Sequence, residues 1–219
     1  MDIDAIRSFS YLCNVLLVDT TYKSNTYDYN LIIMYYIDRH LHTAVAAAAV
    51  SKTEQTDDFV WFFKQVEKFV GDSINSVHTI ISDEASSIAT AIETCFASSV
   101  KHQLCLWHLL QNLQRIVTEV AFGRAFGLTI RQRVRKLLYY DGYTDNQWNA
   151  EYEQLIQLPE SIGDKTRSRF LTYMSKIQLK RHQFCYYKLK YSFNLDTFVS
   201  SRAEALHRYV LHLHLYICI

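Results

Sequence analysis

The sequence has few of the residues that interrupt secondary structure, with 5 glycines and a single proline, Pro159, in 219 residues. This shortage excludes long flexible linkers and low-complexity tracts. No apolar run reaches the roughly 18 residues that cross a bilayer, and the residues after Met1 lack a basic segment followed by an apolar one. The five cysteines are odd in number and contain no CxxC pair, which argues against a disulfide framework. We therefore expect a soluble intracellular protein with no membrane partner.

Charge is divided unevenly along the chain, although the net charge is only +1. Residues 1–100 hold 6 basic and 13 acidic side chains, a net charge of −7, whereas residues 101–219 hold 17 and 9, a net charge of +8. An acidic half beside a basic half fits an enzyme that binds a polyanion and holds metal ions with its acids. It also fits two ordinary solvated faces.

The segment Asn14–Asn25 is an apolar run that contains one acid. Val15 to Val18 and the threonines after them have the composition of a buried strand, so Asp19 is predicted to lie on a strand. Removing an unpaired carboxylate from water at this position would cost on the order of several kcal/mol. Asp19 therefore needs a partner, and cationic side chains, backbone donors and a metal ion are the usual ones.

The pattern of the chain predicts a mixed α/β fold. Runs at 29–38 and 42–50 would complete an antiparallel meander with the first strand, and a helix with its apolar stripe from Phe59 to Val70 would end at Gly71. Strands at 78–83 and 101–108 would alternate with helices at 85–96 and 109–122, which places them parallel to the first strand. This order is the ribonuclease-H-like arrangement, with three antiparallel strands followed by parallel strands.

Three segments follow from this pattern: an α/β core at 1–122, a helical, basic and aromatic insertion at 123–195, and a C-terminal helix at 196–219 that completes the core. In this topology Asp19 and Asp83 become neighbours, and two adjacent carboxylates repel unless a cation lies between them. Local alternatives exist for two acids, since Asp83 could cap the helix that follows and Glu204 has capping-box spacing from Ser201.

Several motifs resemble one known family. They are Asp19-Thr-Thr-Tyr-Lys-Ser-Asn25, the helix with Trp61, Ile80-Ile-Ser-Asp83, and Leu104-Cys-Leu-Trp-His108 followed by Asn112. Together they resemble the catalytic domain of Mutator-like element (MULE) transposases, which the plant far-red-impaired-response proteins share. The similarity covers roughly residues 8–115 and resumes at 198–209.

The resemblance implies a DDE-type transposase in which Asp19, Asp83 and Glu204 are the catalytic residues and the metal ligands. It implies two Mg²⁺ or Mn²⁺ ions, double-stranded DNA at the transposon ends and the target, a possible homodimer, and a nuclear location. Two other functions stay open. One is a catalytically inactive, domesticated or fragmentary derivative that binds DNA or regulates transcription, and the other is a plain metal-dependent nuclease.

Two further groups of residues are candidates. Cys105 and His108 match the family's C-x2-H pair and favour a structural corner over zinc, because His212 and His214 would point to different faces of a helix. The basic residues of the insertion and its aromatic residues, which include Phe184 and Tyr187, could line a DNA path or simply form a solvated helix face over a Tyr/Phe core. The DNA-binding candidates are Lys23, Lys176, Lys180, Arg181, Lys188 and Lys190.

Overall fold

The computed structural model describes residues 14–21, 28–37, 43–159 and 161–189. Among these described residues, the chain divides into two compact units, the first up to Cys105 and the second from Leu106 to Leu189. Within the described ranges, none of the helices has both the length and the apolar character needed to cross a membrane.

The described part of the first unit contains one mixed sheet of five strands in the order β3-β2-β1-β4-β5. β1, β2 and β3 are antiparallel neighbours, whereas β4 runs parallel to β1 and β5 runs parallel to β4. The predicted α/β class with a mixed sheet is therefore confirmed. The strands are β1 (Val15–Thr21), β2 (Asn30–Ile37), β3 (Thr43–Ser51), β4 (Thr79–Ser82) and β5 (Lys101–Leu104).

The central strands explain the long apolar runs in the sequence. All eight residues of β2 and the first five of β1 are buried, so both faces of these strands are covered and no polar alternation is visible. β3 lies at the edge of the described sheet, where Ala46 is its one buried residue and the positions after it alternate between partly and fully exposed. The central position of β1 places Asp19 between two neighbouring strands.

Two helices cover one face of this sheet, α1 (Thr56–Val70) and α2 (Ser86–Cys95). A capping box between Gln55 and Asp58 starts α1, and Gly71 ends it with a φ of 56°. The phenylalanines of α1 pack on the even-numbered strand residues, such as Leu16, Ile32 and Ile80. Phe69 was predicted to join this stripe but is exposed, because it lies at the edge of the apolar face.

The second unit is helical throughout its described elements. β5 ends at Leu104 and α3 begins at Leu106, so the predicted strand to His108 was too long. The predicted helix to Phe122 is divided, because Thr118 caps a new short helix by accepting a hydrogen bond from the Ala121 N–H. The helices are α3 (Leu106–Ile116), α4 (Glu119–Phe122), α5 (Arg124–Tyr139), α6 (Asp145–Ile156), α7 (Asp164–Lys180) and α8 (Tyr186–Leu189).

Trp148 lies at the centre of the second unit's core. Its side chain is fully buried, it donates a hydrogen bond from Nε1 to the Leu137 carbonyl at 3.1 Å, and it stacks on Tyr152 at 5.4 Å between ring centres. An indole that is both buried and hydrogen-bonded gives large apolar burial without an unsatisfied donor. The predicted segment limits at residues 122 and 195 stay predictions.

Candidate functional site

Asp19 lies on β1, as the sequence predicts, and its side chain is almost fully buried, at 7% exposure. It faces Ile33 across the antiparallel pair with β2. Its Oδ1 accepts a hydrogen bond from the Thr20 N–H at 2.9 Å. A carboxylate this deeply buried is a strong candidate for a functional group, because desolvating it is costly without compensating partners.

Asp83 follows directly after β4 and continues the register of that strand. β1 and β4 pair in parallel with Leu17 opposite Ile81, an offset of 64 residues that also separates Asp19 from Asp83. The β4–β5 ladder extends past Ser82, whose carbonyl accepts from the Cys105 N–H at 2.7 Å. Continuing this register places Asp19 and Asp83 level on adjacent strands, which lie about 4.8 Å apart in a sheet.

The helix-cap alternative for Asp83 is wrong. The N-cap of α2 is Ala85, and Asp83 Oδ1 instead accepts from the Ala85 N–H at 3.1 Å in a local turn. Within the described chain, its second oxygen, Oδ2, has no hydrogen-bond partner. This turn fixes one carboxylate oxygen and leaves the other available to a ligand.

Two residues that the sequence analysis did not single out share this face of the sheet. Tyr35 lies opposite Leu17, and burial followed by the charge of Asp19 raises the pKa of its phenol well above the usual value. Gln103 lies opposite Ile81 on β5 and is buried at 2% exposure. The available signal was a lone amide within the short strand 101–104, but the face on which it lies depends on the strand register.

The donor set suits a hard divalent cation. Asp19 and Asp83 supply carboxylate oxygens, which Mg²⁺ and Mn²⁺ prefer, and the buried amide of Gln103 on the same face has no hydrogen-bond partner among the described residues. In the described ranges, no cluster of three His, Cys, Asp or Glu could hold a metal ion. The third predicted ligand, Glu204, lies outside the described residues.

The Cys105 and His108 pair marks the corner between β5 and α3. Cys105 is buried with its thiol outside any disulfide, and His108 lies in the first turn of α3 with its ring edge-on to Trp107 at 4.9 Å. His212 and His214, the other ligands considered for zinc, lie outside the described residues. The structural and zinc interpretations of this pair both stay predictions.

The predicted DNA-binding cations fall into two groups. Lys176 is exposed and Lys180 is half-exposed near the end of α7. Lys165 and Arg169 are exposed about three and two turns before Lys176, and helical spacing puts all four cations on one stripe. The structure does not describe Lys23 and Lys190.

Arg181 and Lys188 belong to a different environment. Arg181 stacks over Trp148, with its guanidinium carbon 5.1 Å from the ring centre, and donates to Asn149 Oδ1 at 2.7 Å. Lys188 Nζ lies 2.7 Å from Asp145, and its hydrogen bond lowers the pKa of that carboxyl. These contacts hold both cations against the second unit's own core.

For two aromatic residues of the insertion, the structure agrees with the alternative of a Tyr/Phe core under a solvated helix face. Phe184 and Tyr187 were considered as rings that stack on bases, but both are buried. Tyr187 instead donates a hydrogen bond to Asp145 at 2.9 Å and stacks on Trp148. These rings are therefore core residues of the second unit.

Comparison with known proteins agrees with the motifs. Residues 15–112 match the family model described as MULE transposase domain, which confirms the predicted resemblance over that segment. The chain is 22% identical over 183 residues to Protein FAR1-RELATED SEQUENCE 5 of Arabidopsis thaliana. That alignment covers 84% of the chain and 20% of the relative, so it spans about a fifth of the relative's length. Asp19 and Asp83 both lie within the matched segment.

Proposed function

We propose that the first unit has a ribonuclease-H-like fold and is the catalytic core of a DDE-type DNA transposase. The observation that carries the proposal is the parallel register of β1 and β4, which puts Asp19 level with Asp83 directly after β4. The match of residues 15–112 to the MULE transposase domain supports it independently of the geometry. A transposase-family domain also implies DNA as the partner.

The chain's own residues would hold divalent cations. Asp19 and Asp83, with Glu204 as the proposed third acid, would hold one or two Mg²⁺ or Mn²⁺ ions through carboxylate oxygens. Bound cations of this kind activate water or a 3′-hydroxyl and stabilise the leaving oxygen in phosphodiester cleavage and strand transfer. The burial of Asp19 excludes bulk water from its side of the pair, and the Ala85 N–H orients Asp83.

The second unit would supply the DNA-contacting surface. Residues 106–189 contain 13 Lys or Arg and 7 Asp or Glu, a net charge of +6. The exposed stripe on α7 contains Lys165, Arg169, Lys176 and Lys180 and has no acid in the positions between them. Exposed cations suit contacts to the phosphate backbone, which supply sequence-independent affinity.

A melting experiment tests the metal site. A ligand present at 100 times its Kd stabilises the folded state by about 2.7 kcal/mol if it binds only that state. We expect Mn²⁺ to raise the melting temperature of the wild type, and Asp19→Asn, Asp83→Asn and Glu204→Gln each to abolish the rise. The exposed Asp72 provides the control variant Asp72→Asn, which should keep it. A wild type that does not respond to Mn²⁺ would refute the metal-dependent core.

DNA assays then separate the related functions. Metal-dependent cleavage of a DNA end followed by joining of its 3′-hydroxyl to target DNA identifies a transposase. Cleavage without joining identifies a nuclease. Transposition requires two ends held together, so we also propose a dimer on paired ends, which sedimentation of the DNA complex would measure.

The second candidate function is a catalytically inactive DNA-binding or transcription-regulating derivative. The similarity to the Arabidopsis FAR1-related protein favours it, since the motifs are those shared with the far-red-impaired-response proteins. This function predicts salt-dependent DNA binding with no metal-dependent cleavage. It becomes the better assignment if the wild type binds DNA but shows no response to Mn²⁺.

A further inference from the structure

Gln103 has a buried side-chain amide that lacks, among the described residues, the hydrogen bonds that its burial requires. It is 2% exposed, and within the described chain neither Nε2 nor Oε1 has a hydrogen-bond partner. Buried amide groups are almost always paired with protein or ordered water, because an unsatisfied donor and acceptor destabilise the fold. A position that tolerates this arrangement is therefore expected to have a ligand or an ordered water as its partner.

The strand register gives the direction of the Gln103 side chain. Gln103 pairs with Ile81, and Ile81 pairs with Leu17. Side chains two residues apart on a strand lie on the same face, so Gln103 shares the face of Asp19 and Asp83. Along the strand direction, Gln103 lies one pleat repeat, about 6.6 Å, before the level of the two aspartates. The length of the glutamine side chain covers part of that distance.

The intervening positions confirm this alternation. Ser82 and His102 are hydrogen-bonded to each other at 2.8 Å between Oγ and Nε2. Each is adjacent in sequence to one member of the Asp83 and Gln103 pair, so this polar contact lies on the opposite face of the sheet. It cannot supply partners to Gln103, and the amide is left facing the acids.

We propose that Gln103 is a positioning residue of the metal site, and that its amide binds a water in the hydration shell of a divalent cation held by Asp19 and Asp83. Oε1 would accept from the water and Nε2 would donate to a carboxylate oxygen such as Oδ2 of Asp83. Mg²⁺ keeps several of its waters when few carboxylates bind it, so such a water is expected. The inference rests on the proposed function of the two aspartates.

Mn²⁺ binding to purified full-length chains tests this role without an activity assay. Electron paramagnetic resonance of unbound Mn²⁺ gives the Kd of the wild type, of Gln103→Met and of Ser82→Ala, the control on the opposite face. Outer-shell partners typically contribute 10–100-fold in metal affinity. We expect Gln103→Met to bind Mn²⁺ about 10–100-fold more weakly, with a metal-free melting temperature at or above that of the wild type.

The outcomes separate this inference from the proposed function. If Gln103→Met binds Mn²⁺ as tightly as the wild type while Asp19→Asn loses binding, the role of Gln103 is refuted and the metal site stands. If the wild type binds no Mn²⁺, both fall together. Should Gln103→Met fail to fold, the side-chain amide resonances of Gln103 in the wild type decide, since saturating Mg²⁺ must shift them and unchanged resonances refute the role.

Discussion

Asp19 and Tyr35 lie diagonally across the antiparallel pair of β1 and β2, on the same face of the sheet. The register places Asp19 opposite Ile33 and Leu17 opposite Tyr35. Burial raises the pKa of the Tyr35 phenol, and the nearby charge of Asp19 raises it further. The candidate site therefore rests on a face where a carboxylate and a neutral phenol are buried together.

Tyr35→Phe is expected to flatten the loss of stability at alkaline pH. Because folding raises the Tyr35 pKa above its unfolded value of about 10, its contribution is complete below about pH 10 and is lost as the pH rises. The slope from one such group reaches about 1.4 kcal/mol per pH unit. Urea unfolding at about pH 9 and about pH 11 measures it, with exposed Tyr29→Phe as the control. Equal losses in both variants would contradict the buried-phenol explanation.

Gly71→Ala is expected to destabilise the first unit through the backbone alone. Gly71 has a φ of 56°, and nothing lies within 4 Å of the position that an added Cβ would occupy. Strained backbone positions of this kind cost about 1–3 kcal/mol for other residues. Gly163 has equal space but a φ of −59°, so Gly163→Ala should cost less than about 1 kcal/mol, which reflects only the preference for glycine over alanine at the N-cap of α7. Chemical denaturation of both variants makes the comparison, and an equal effect would contradict it.

Phe63→Ala and Phe69→Ala should differ although both residues belong to α1. Phe63 is buried in the sheet core and packs edge-on against Phe96 at 5.2 Å, whereas Phe69 is 59% exposed. Truncating a buried phenylalanine typically costs about 3–5 kcal/mol. We expect that loss for Phe63→Ala and less than about 1 kcal/mol for Phe69→Ala. Comparable losses would mean that a further contact covers Phe69.

Lys176→Gln and Lys188→Gln should have different effects on DNA binding. Lys176 is exposed on the α7 stripe, and each phosphate contact adds about 0.9 to the salt slope of the binding constant. Lys176→Gln should therefore reduce that slope by about one. Lys188 is paired with Asp145, so Lys188→Gln should lower the melting temperature of the protein and leave the slope unchanged. Fluorescence anisotropy with duplex DNA over a range of salt concentrations measures both, and identical slopes for the two variants would contradict the assignment.

Local composition was sufficient to predict most strands and helices of the first unit. The apolar run around Val18 and the phenylalanine stripe of α1 carry strong periodic signals, so their types and approximate limits agree with the structure. The strand predicted at 101–108 was too long because residues 105–107 are apolar, and an apolar run of this length fits either a strand or the start of a buried helix. Periodicity cannot separate those two states over three residues.

For the candidate site, local composition was not sufficient, and the positions of the strands in the sheet were needed. The expected proximity of Asp19 and Asp83 followed from the strand topology, because parallel neighbours bring the carboxyl ends of distant strands together, and the register of Leu17 with Ile81 agrees with it. The sequence alone could not place Gln103 on the face of the sheet that holds the two aspartates, since a one-residue change in register would move it to the other face. The environments of Arg181 and Lys188 also required three-dimensional contacts. The local sequence does not distinguish a charged side chain that packs against the core from one that is solvated.

The parallel pairing of β1 and β4 makes the site insensitive to the length of the chain that joins them. Leu17 and Ile81 hold the register, so residues could be added or removed in the connections between the intervening strands and helix without displacing either aspartate. Removing one residue between Ile81 and Asp83 would instead turn the second carboxylate to the opposite side of the sheet. Proteins with this site should therefore be sought by the two short strands that hold the acids, and not by the number of residues between them.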